Sequence, residues 1–432
     1  MVNDVKKTII GLIPDDWKVK KIKDVCDTTS GGTPSRSKPE YYESGTIPWI
    51  KTGELNQKYI FDTEEKITEI AMQHSSAKLI PKNSVLMAMY GATIGKTSIT
   101  KIEAATNQAC CAMISKGEIE PEFLYYVLSF SKDKIISLGA GGAQPNISQQ
   151  IIRELEIPFP LQGEQRKIAA ILSSVDEAIE KTEAIIKQTE KVKKGLMQQL
   201  LTKGIGHTKF KKTEIGEIPE GWEVARLGEK KFTQKITQGP NPKYNLGHID
   251  KKYRVLKTKD LYDQGILYEQ ADLISKETFE GCLSSELKDG DILVAIVGKG
   301  SIGKSHIFHE QEGQKYIFTR AIGLIRVNKN IIFPEYLHQF FQSEDGKKIF
   351  EKGINGSTGQ EVLQTSYLKE IKIPLPPFAE QIEIVRRLEI LDKKIQIENC
   401  KLTELNNLKK SLMQTLLTGK VRVKVDDEVM SQ

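Results

Sequence analysis

The chain lays out its plan twice. Lys6-Lys7-Thr8-x-Ile10-Gly11-x-Ile13-Pro14-x-x-Trp17 recurs 205 residues later as Lys211-Lys212-Thr213-x-Ile215-Gly216-x-Ile218-Pro219-x-x-Trp222. A second phrase, Leu196-Met197-Gln198-x-Leu200-Leu201-Thr202, returns after 216 residues as Leu412-Met413-Gln414-x-Leu416-Leu417-Thr418. Solenoid repeats have periods of roughly 20–50 residues. A period this long instead means two domain-sized units related by a pseudo-two-fold, and 432 residues suffice for both with further elements.

Each unit ends in one long amphipathic segment. In 165–201 the steps alternate between four and three: Ile168, Leu172, Val175, Ile179, Thr182, Ile186, Thr189, Lys193, Leu196, Leu200. The second unit repeats the series as Ile384, Leu388, Leu391, Ile395, Glu398, Leu402, Leu405, Lys409, Leu412, Leu416. A mean step of 3.5 residues over about five heptads predicts a coiled-coil seam, and 37 residues at about 1.5 Å each predict a rod of roughly 55 Å. The polar intrusions argue for two unlike helices packed together rather than a uniform zipper. Prolines at Ile157-Pro158-Phe159-Pro160 and Ile373-Pro374-Leu375-Pro376-Pro377 close the preceding element before each helix.

The remainder reads as mixed and strand-rich. Ser84–Met89, Ala109–Ile114, Asp291–Val297 and Ala321–Val327 are apolar runs of strand length, and Pro121-Glu122 and Pro334-Glu335 have the composition of helix starts. The expected fold class is α+β (mixed): two α/β globular domains in pseudo-two-fold arrangement, joined by two long helices forming an antiparallel coiled coil. Trp17 and Trp222 are expected in the cores.

Sites of chemistry are sparse. Gly298-Lys299-Gly300-Ser301-Ile302-Gly303-Lys304-Ser305 matches the phosphate-cradling pattern G-x-x-x-x-G-K-[ST]. The segment after it, His306–Glu310, lacks helical periodicity, and the matching loop Gly91–Thr97 is one residue short. It is therefore read as a tight glycine turn between strands. Leu375-Pro376-Pro377-Phe378 lacks the leading Asn or Asp of an amino-methyltransferase quartet, and the six histidines show no metal-binding spacing. Charged triplets such as Glu64-Glu65-Lys66 are read as solvated surface. The five cysteines have no C-x-x-C pair and are read as incidental thiols of a reducing compartment. No apolar run reaches 18 residues and the start lacks an apolar signal region, so neither membrane nor export is expected and the location is cytoplasmic. A net charge of +6 is weak evidence for nucleic acid. A chain of this size with no visible active site is expected to bind or scaffold, not to catalyse.

These features together resemble the specificity subunit of type I restriction–modification enzymes over nearly the whole chain. The resemblance is carried by Ile13-Pro14-x-x-Trp17, Gly31-Gly32-Thr33-Pro34-Ser35-Arg36, Ile47-Pro48-Trp49, Gly91-x-x-x-Gly95-Lys96, Thr106-Asn107-Gln108, the helix starts Glu164-Gln165 and Glu380-Gln381, and both Leu-Met-Gln-x-Leu-Leu-Thr ends. In the second unit Gln238-Gly239-Pro240-Asn241-Pro242 replaces the Gly-Gly-Thr-Pro loop, and Arg320 stands where Asn107 would align. The resemblance implies a target-recognition domain at 1–160, a central helix at 161–204, a second target-recognition domain at 205–376, a C-terminal helix at 377–420 and a tail at 421–432.

It further implies a partnership with double-stranded DNA, each globular domain reading one half of an interrupted site while the coiled coil sets the spacer and docks two methyltransferase subunits. Two restriction subunits would join for cleavage. This chain would hold no cofactor or metal; S-adenosylmethionine, ATP and Mg would belong to the partners. Bidentate side chains distinguish bases and lysines neutralise phosphates. The candidate DNA-binding residues, all in loops, are Arg36, Lys38, Lys51, Lys96, Asn107, Gln108, Gln144, Asn146, Asn241, Lys243, Lys257, Lys259, Lys299, Lys304, Arg320, Asn355 and Gln360.

Overall fold

The computed structural model describes residues 5–139, 146–243, 248–262, 265–298, 300–355 and 361–424. The chain is mixed α+β and forms two compact units, Met1–Glu183 with Cys400–Gln432, and Ala184–Asn399. Both long helices are shared out between the units, so each unit carries a piece of each.

The first unit opens with the hairpin Val5–Thr8 and Gly11–Pro14, whose turn needs the positive φ of Gly11. Lys18–Lys21 pairs antiparallel with Glu156–Phe159, closing the globular part just before the first long helix. A five-stranded sheet runs in the order Cys26–Ser30, Cys110–Ser115, Val85–Ala88, Thr97–Thr100, Tyr59–Ile60. A four-stranded sheet runs Lys66–Ile67, Ile47–Ile50, Ala104–Thr106, Leu79–Ile80. Val85–Ala88 is buried throughout, which explains its unbroken apolar run.

The second unit repeats this plan. Its hairpin is Phe210–Thr213 with Gly216–Pro219, and Glu223–Arg226 pairs with Lys372–Leu375. Its larger sheet runs Thr233–Gln238, Ile322–Val327, Ile292–Ala295, Ser305–Ile307. A three-stranded sheet runs Asp272–Ser275, Ile249–Leu256, Lys315–Phe318. The phosphate-loop look-alike lies between Ile292–Ala295 and Ser305–Ile307, which pair antiparallel, so a strand and not a helix follows it.

The long helices are Gln162–Lys203 and Phe378–Leu416, and they pack together. In the first unit Ile168 and Leu172 share a core with Met413, Leu416 and Leu417. In the second, Met197, Leu200 and Leu201 share a core with Ile384, Val385 and Leu388. Within each unit, numbers rise along one helix as they fall along the other, so the pairing is antiparallel. Ile168, Leu172, Val175, Leu200, Ile384, Leu388 and Leu416 are buried. Ile179, Ile186, Leu196, Leu391, Ile395, Leu402, Leu405 and Leu412 are half-buried.

Polar residues in this contact are individually accommodated. Buried Thr182 and Thr189 donate to the carbonyls of Ala178 and Ile185, 2.8 and 2.7 Å away. Lys409 pairs with buried Asp176 at 2.6 Å in the first unit, and Lys193 pairs with Asp392 in the second. Each aspartate also meets the nearby globular helix: Tyr126 donates to Asp176 at 2.6 Å, and Gln339 donates to Asp392 at 3.5 Å.

Each long helix is anchored at its start by a Glu-Gln pair. Trp17 and Trp222 are each 1% exposed. The Trp17 indole N–H donates to Glu164 at 3.1 Å, and the Trp222 indole N–H donates to Glu380 at 3.0 Å. Arg422 adds two hydrogen bonds to Glu164, whereas His207 and the Ile205 amide meet Glu380. Gln165 accepts from the Glu120 amide and donates to Pro160; Gln381 accepts from Phe333 and donates to Pro376. Gly204 and Gly419 follow the two helices at φ +66, each with its absent Cβ position against a tryptophan, so a side chain there would be strained and crowded.

Among the described residues no helix is long and apolar enough to cross a membrane. Cys26, Cys110 and Cys111 are buried, Cys282 is half-buried and Cys400 is exposed.

A buried donor left without its acceptor costs about 1–3 kcal/mol, more beside a charge. Glu164→Ala should therefore lower unfolding free energy by about 2–3 kcal/mol. In a double-mutant cycle with Trp17→Phe, the two losses should fall short of additivity. Additive losses in chemical denaturation would show that the indole–carboxylate contact carries no coupling.

Candidate nucleic-acid interface

In the first unit the sequence candidates gather around the Gly31-Gly32 loop. An added Cβ at Gly31 would lie 1.8 Å from the Thr106 carbonyl oxygen, so only glycine permits this approach. The Gly32 amide donates to the same carbonyl at 3.0 Å, and the Trp49 indole donates to the Gly32 carbonyl at 3.1 Å. The loop is thereby fixed against the strand that leads into Asn107 and Gln108.

Arg36 stacks over Tyr42, 4.4 Å from the ring centroid, and pairs with Glu65 at 2.6 Å. Lys51 reaches the other oxygen of Glu65 at 3.2 Å. Burial alone would raise the Glu65 carboxyl, but hydrogen bonds from Arg36 and Lys51 outweigh it and hold it below the ordinary range. Glu65 is thus a half-buried counter-ion that positions two cations, not the solvated surface residue expected from its triplet. The Thr33 hydroxyl donates to the Gln108 side-chain Oε1 at 2.5 Å. The half-buried Asn107 accepts the Ala109 amide on its side-chain oxygen at 3.2 Å. Lys38 donates to the Tyr41 hydroxyl at 3.1 Å, and Lys96 to Asn56 at 2.8 Å. Asn146 is exposed, next to Ile147, whose amide donates to Met89.

The second unit builds the same arrangement from other residues. An added Cβ at Gly239 would lie 2.4 Å from the Phe318 carbonyl oxygen, so Gly239 does what Gly31 does. The Arg320 amide donates to Pro240 at 2.9 Å, which places Arg320 beside exposed Asn241. Asp272 stands in for Glu65, taking Lys257 at 2.6 Å and Lys259 at 2.7 Å. Those two hydrogen bonds hold its carboxyl below the ordinary range. Strand register corrects one expected correspondence. The Asn107 amide donates to Ile50 and the Thr319 amide to Leu256, so Thr319 matches Asn107 and Arg320 matches Gln108.

Other candidates are more scattered. The Lys243 carbonyl accepts from the Thr278 hydroxyl, leaving its exposed side chain outward. Lys304 sits at the end of the glycine turn, its carbonyl bonded to the Ala295 amide. Asn355 belongs to a short strand, Ile354–Asn355, paired with Val362–Leu363. Gln144, Lys299 and Gln360 lie outside the described residues. Sequence reasoning missed Tyr42, Trp49, Glu65 and Asp272. Trp49 stands in the Ile47-Pro48-Trp49 phrase, but nothing in the spacing ties it to the Gly32 loop, and no motif assigns Tyr42, Glu65 or Asp272 to the cations they meet. Among the described residues, no group of three or more His, Cys, Asp or Glu is placed to hold a metal ion.

Comparison with known proteins agrees with this architecture. The family model described as "Type I restriction modification DNA specificity domain" matches twice, at residues 14–191 and 219–407. The chain is similar to the type I restriction enzyme MjaVIII specificity subunit of Methanocaldococcus jannaschii, with 30% identity over 95% of this chain and 94% of that protein. The putative MjaX specificity subunit of the same organism is 31% identical over 97% of each. In fold, the chain resembles the crystal structure of the type I restriction–modification system S subunit from M. genitalium, with TM-score 0.58 and 17% identity over 95% of this chain and 99% of that one. Two matched specificity domains, a full-length relative at 30% identity and the paired long helices lead to one conclusion: the chain belongs to the type I restriction–modification DNA specificity family, as a non-catalytic specificity subunit.

Proposed function

We propose that this subunit reads a bipartite, interrupted site in double-stranded DNA, one half per globular domain. The observation that carries the reading is the recurrence of one constellation on two different residue sets. In each unit a glycine loop lies against a strand end, and a carboxylate holds two cations beside exposed Asn, Gln or Arg side chains. A shared frame with unlike amide and guanidinium groups suits two domains that read different bases. Arg36, Asn107, Gln108, Asn146, Asn241, Arg320 and Asn355 are the proposed base readers, with Gln144 and Gln360 from the sequence. Lys38, Lys51, Lys96, Lys243, Lys257, Lys259 and Lys304, with Lys299, are the proposed phosphate contacts.

In the same reading the recognition domains span 1–160 and 205–376, and the helices between and after them set the spacer and dock two methyltransferase subunits. Exposed apolar side chains support a docking role. Ile185 and Val192, and Ile390 and Ile397, repeat at seven-residue spacing on the solvent side of the helices in the second unit, and Ile397 is 66% exposed. The partners would carry S-adenosylmethionine, and restriction subunits would bring ATP and Mg, in the cytoplasm.

Arg36→Ala should weaken discrimination at one half-site only. Lys257→Ala should weaken all sequences alike and lower the salt slope by about one, as a lost phosphate contact does. Binding titrations on matched and half-mismatched duplexes, over a range of salt, separate the two. Removing one heptad from each long helix shortens the rod by about 10 Å, equivalent to about three base-pair steps. The methylated motif should then keep both half-sites and lose about three spacer base pairs. An unchanged spacer would end the ruler reading.

A further inference from the structure

The second unit contains an open pocket of roughly 330 Å³ between the helix Pro334–Gln342, the strand Ser305–Ile307 and the second long helix. Its wall includes His309, Glu335, His338, Gln339 and Glu389, beside apolar Ile266 and Ile307. Two of its oxygens are buried with no hydrogen-bond partner: Oε2 of Glu335 and Oε1 of Gln339. Gln339 is only 9% exposed, so its carbonyl oxygen cannot turn to bulk water without leaving the wall. Buried acceptors are nearly always satisfied, and one that is not is costly. No Lys or Arg is among the described residues lining the pocket.

The first unit shows what belongs there. Pro121–Phe130 is the counterpart of Pro334–Gln342, and Gln165 is the counterpart of Gln381 in the long helices. Glu335, Gln339 and Glu389 therefore correspond to Glu122, Tyr126 and Ser173, and strand register pairs His309 with Lys101. In the first unit this space holds two ammonium groups of the chain itself. Lys101 Nζ pairs with Glu122 at 2.9 Å. Lys58 Nζ, on a side chain 8% exposed overall, lies 2.9 Å from the Tyr126 hydroxyl and 2.6 Å from the Ser173 hydroxyl. The second unit keeps the carboxylate, adds a second one at Glu389, and replaces Lys101 by histidine. His338 brings no compensating charge, because burial pushes its imidazole down to about 4 and leaves it neutral at physiological pH.

We propose that the pocket whose wall includes His309, Glu335, His338, Gln339 and Glu389 is a binding site for an organic cation, an alkylammonium or guanidinium group, held by the two glutamates and the Gln339 carbonyl. The donors of such a group match these oxygens, and a planar guanidinium can offer one N–H to each. The volume admits the head group with part of an aliphatic stem. The group has two possible sources, a Lys or Arg side chain of a partner subunit or a free polyamine. The site itself does not depend on the DNA-reading proposal above.

The test titrates the full chain with L-argininamide and with putrescine, following heat and the ring signals of His338. Saturable one-to-one binding that moves His338 is expected. Glu335→Gln should weaken it by about tenfold or more, the scale of a lost charge-assisted contact. His309→Lys, at an exposed position, should restore the internal ion pair of the first unit and abolish binding while raising thermal stability. No saturable binding, or binding untouched by both variants, would overturn the proposal and leave only a hydrated pocket. The source is settled with the methyltransferase-bound complex. Blocked argininamide uptake, with assembly weakened by Glu335→Gln, identifies a partner side chain; unchanged uptake identifies a free polyamine.

Discussion

Two indole-to-carboxylate hydrogen bonds fix the globular parts to the helices, and most of the architecture follows from them. Trp17 and Trp222 each place one N–H in an otherwise apolar core, where it must find an acceptor. Glu164 and Glu380 supply it from the first turn of a long helix, where a carboxylate is also favoured by the helix dipole. The adjacent glutamines then tie the same turn to the backbone of the globular part. The partner cations differ, Arg422 in one unit and His207 in the other, so the clamp is a fixed contact with a variable outer layer.

The helices need this anchoring because their own contact is not strongly apolar. Their middle positions are half-buried, and the seam accepts threonines and two lysine–aspartate pairs. Threonine hydroxyls satisfied by their own backbone cost little. A slip of register would leave buried Asp176 without Lys409, whereas the more exposed Asp392 would keep access to water. Asp176 and Asp392 also take a bond from the adjacent globular helix, so register in each unit is tied to the domain and not only to the other helix.

Much of this was legible because the chain repeats itself. The long helices, the hairpins that open each unit and the buried strands follow from periodicity and from matching phrases. The glycine turn was separable from a phosphate loop because no helical pattern followed it. The Trp–Glu clamp left a signal that went unread: Ile-Pro-x-x-Trp and Glu-Gln both recur, and their joint recurrence implies contact. Glu65 and Asp272 left none, since an ion pair across loops depends on how the backbone folds and not on spacing. The match of Arg320 to Gln108 rests on strand register, since Phe318 and Thr319 differ in type from Thr106 and Asn107.

In the proposed reading, the two constellations let one fold serve two unlike half-sites. Gly31 and Gly239 keep the loop against the strand. Under that proposal the acid-held lysines would form a common phosphate-facing frame, and the residues proposed to face bases would be free to differ. The central claim is tested most directly by mapping N6-methyladenine across the genome of a host carrying the cognate methyltransferase, with this gene intact and deleted. The account predicts that a two-part interrupted motif loses its methylation on deletion and regains it on complementation. Methylation of every motif in the absence of the gene, with the methyltransferase active, would contradict it.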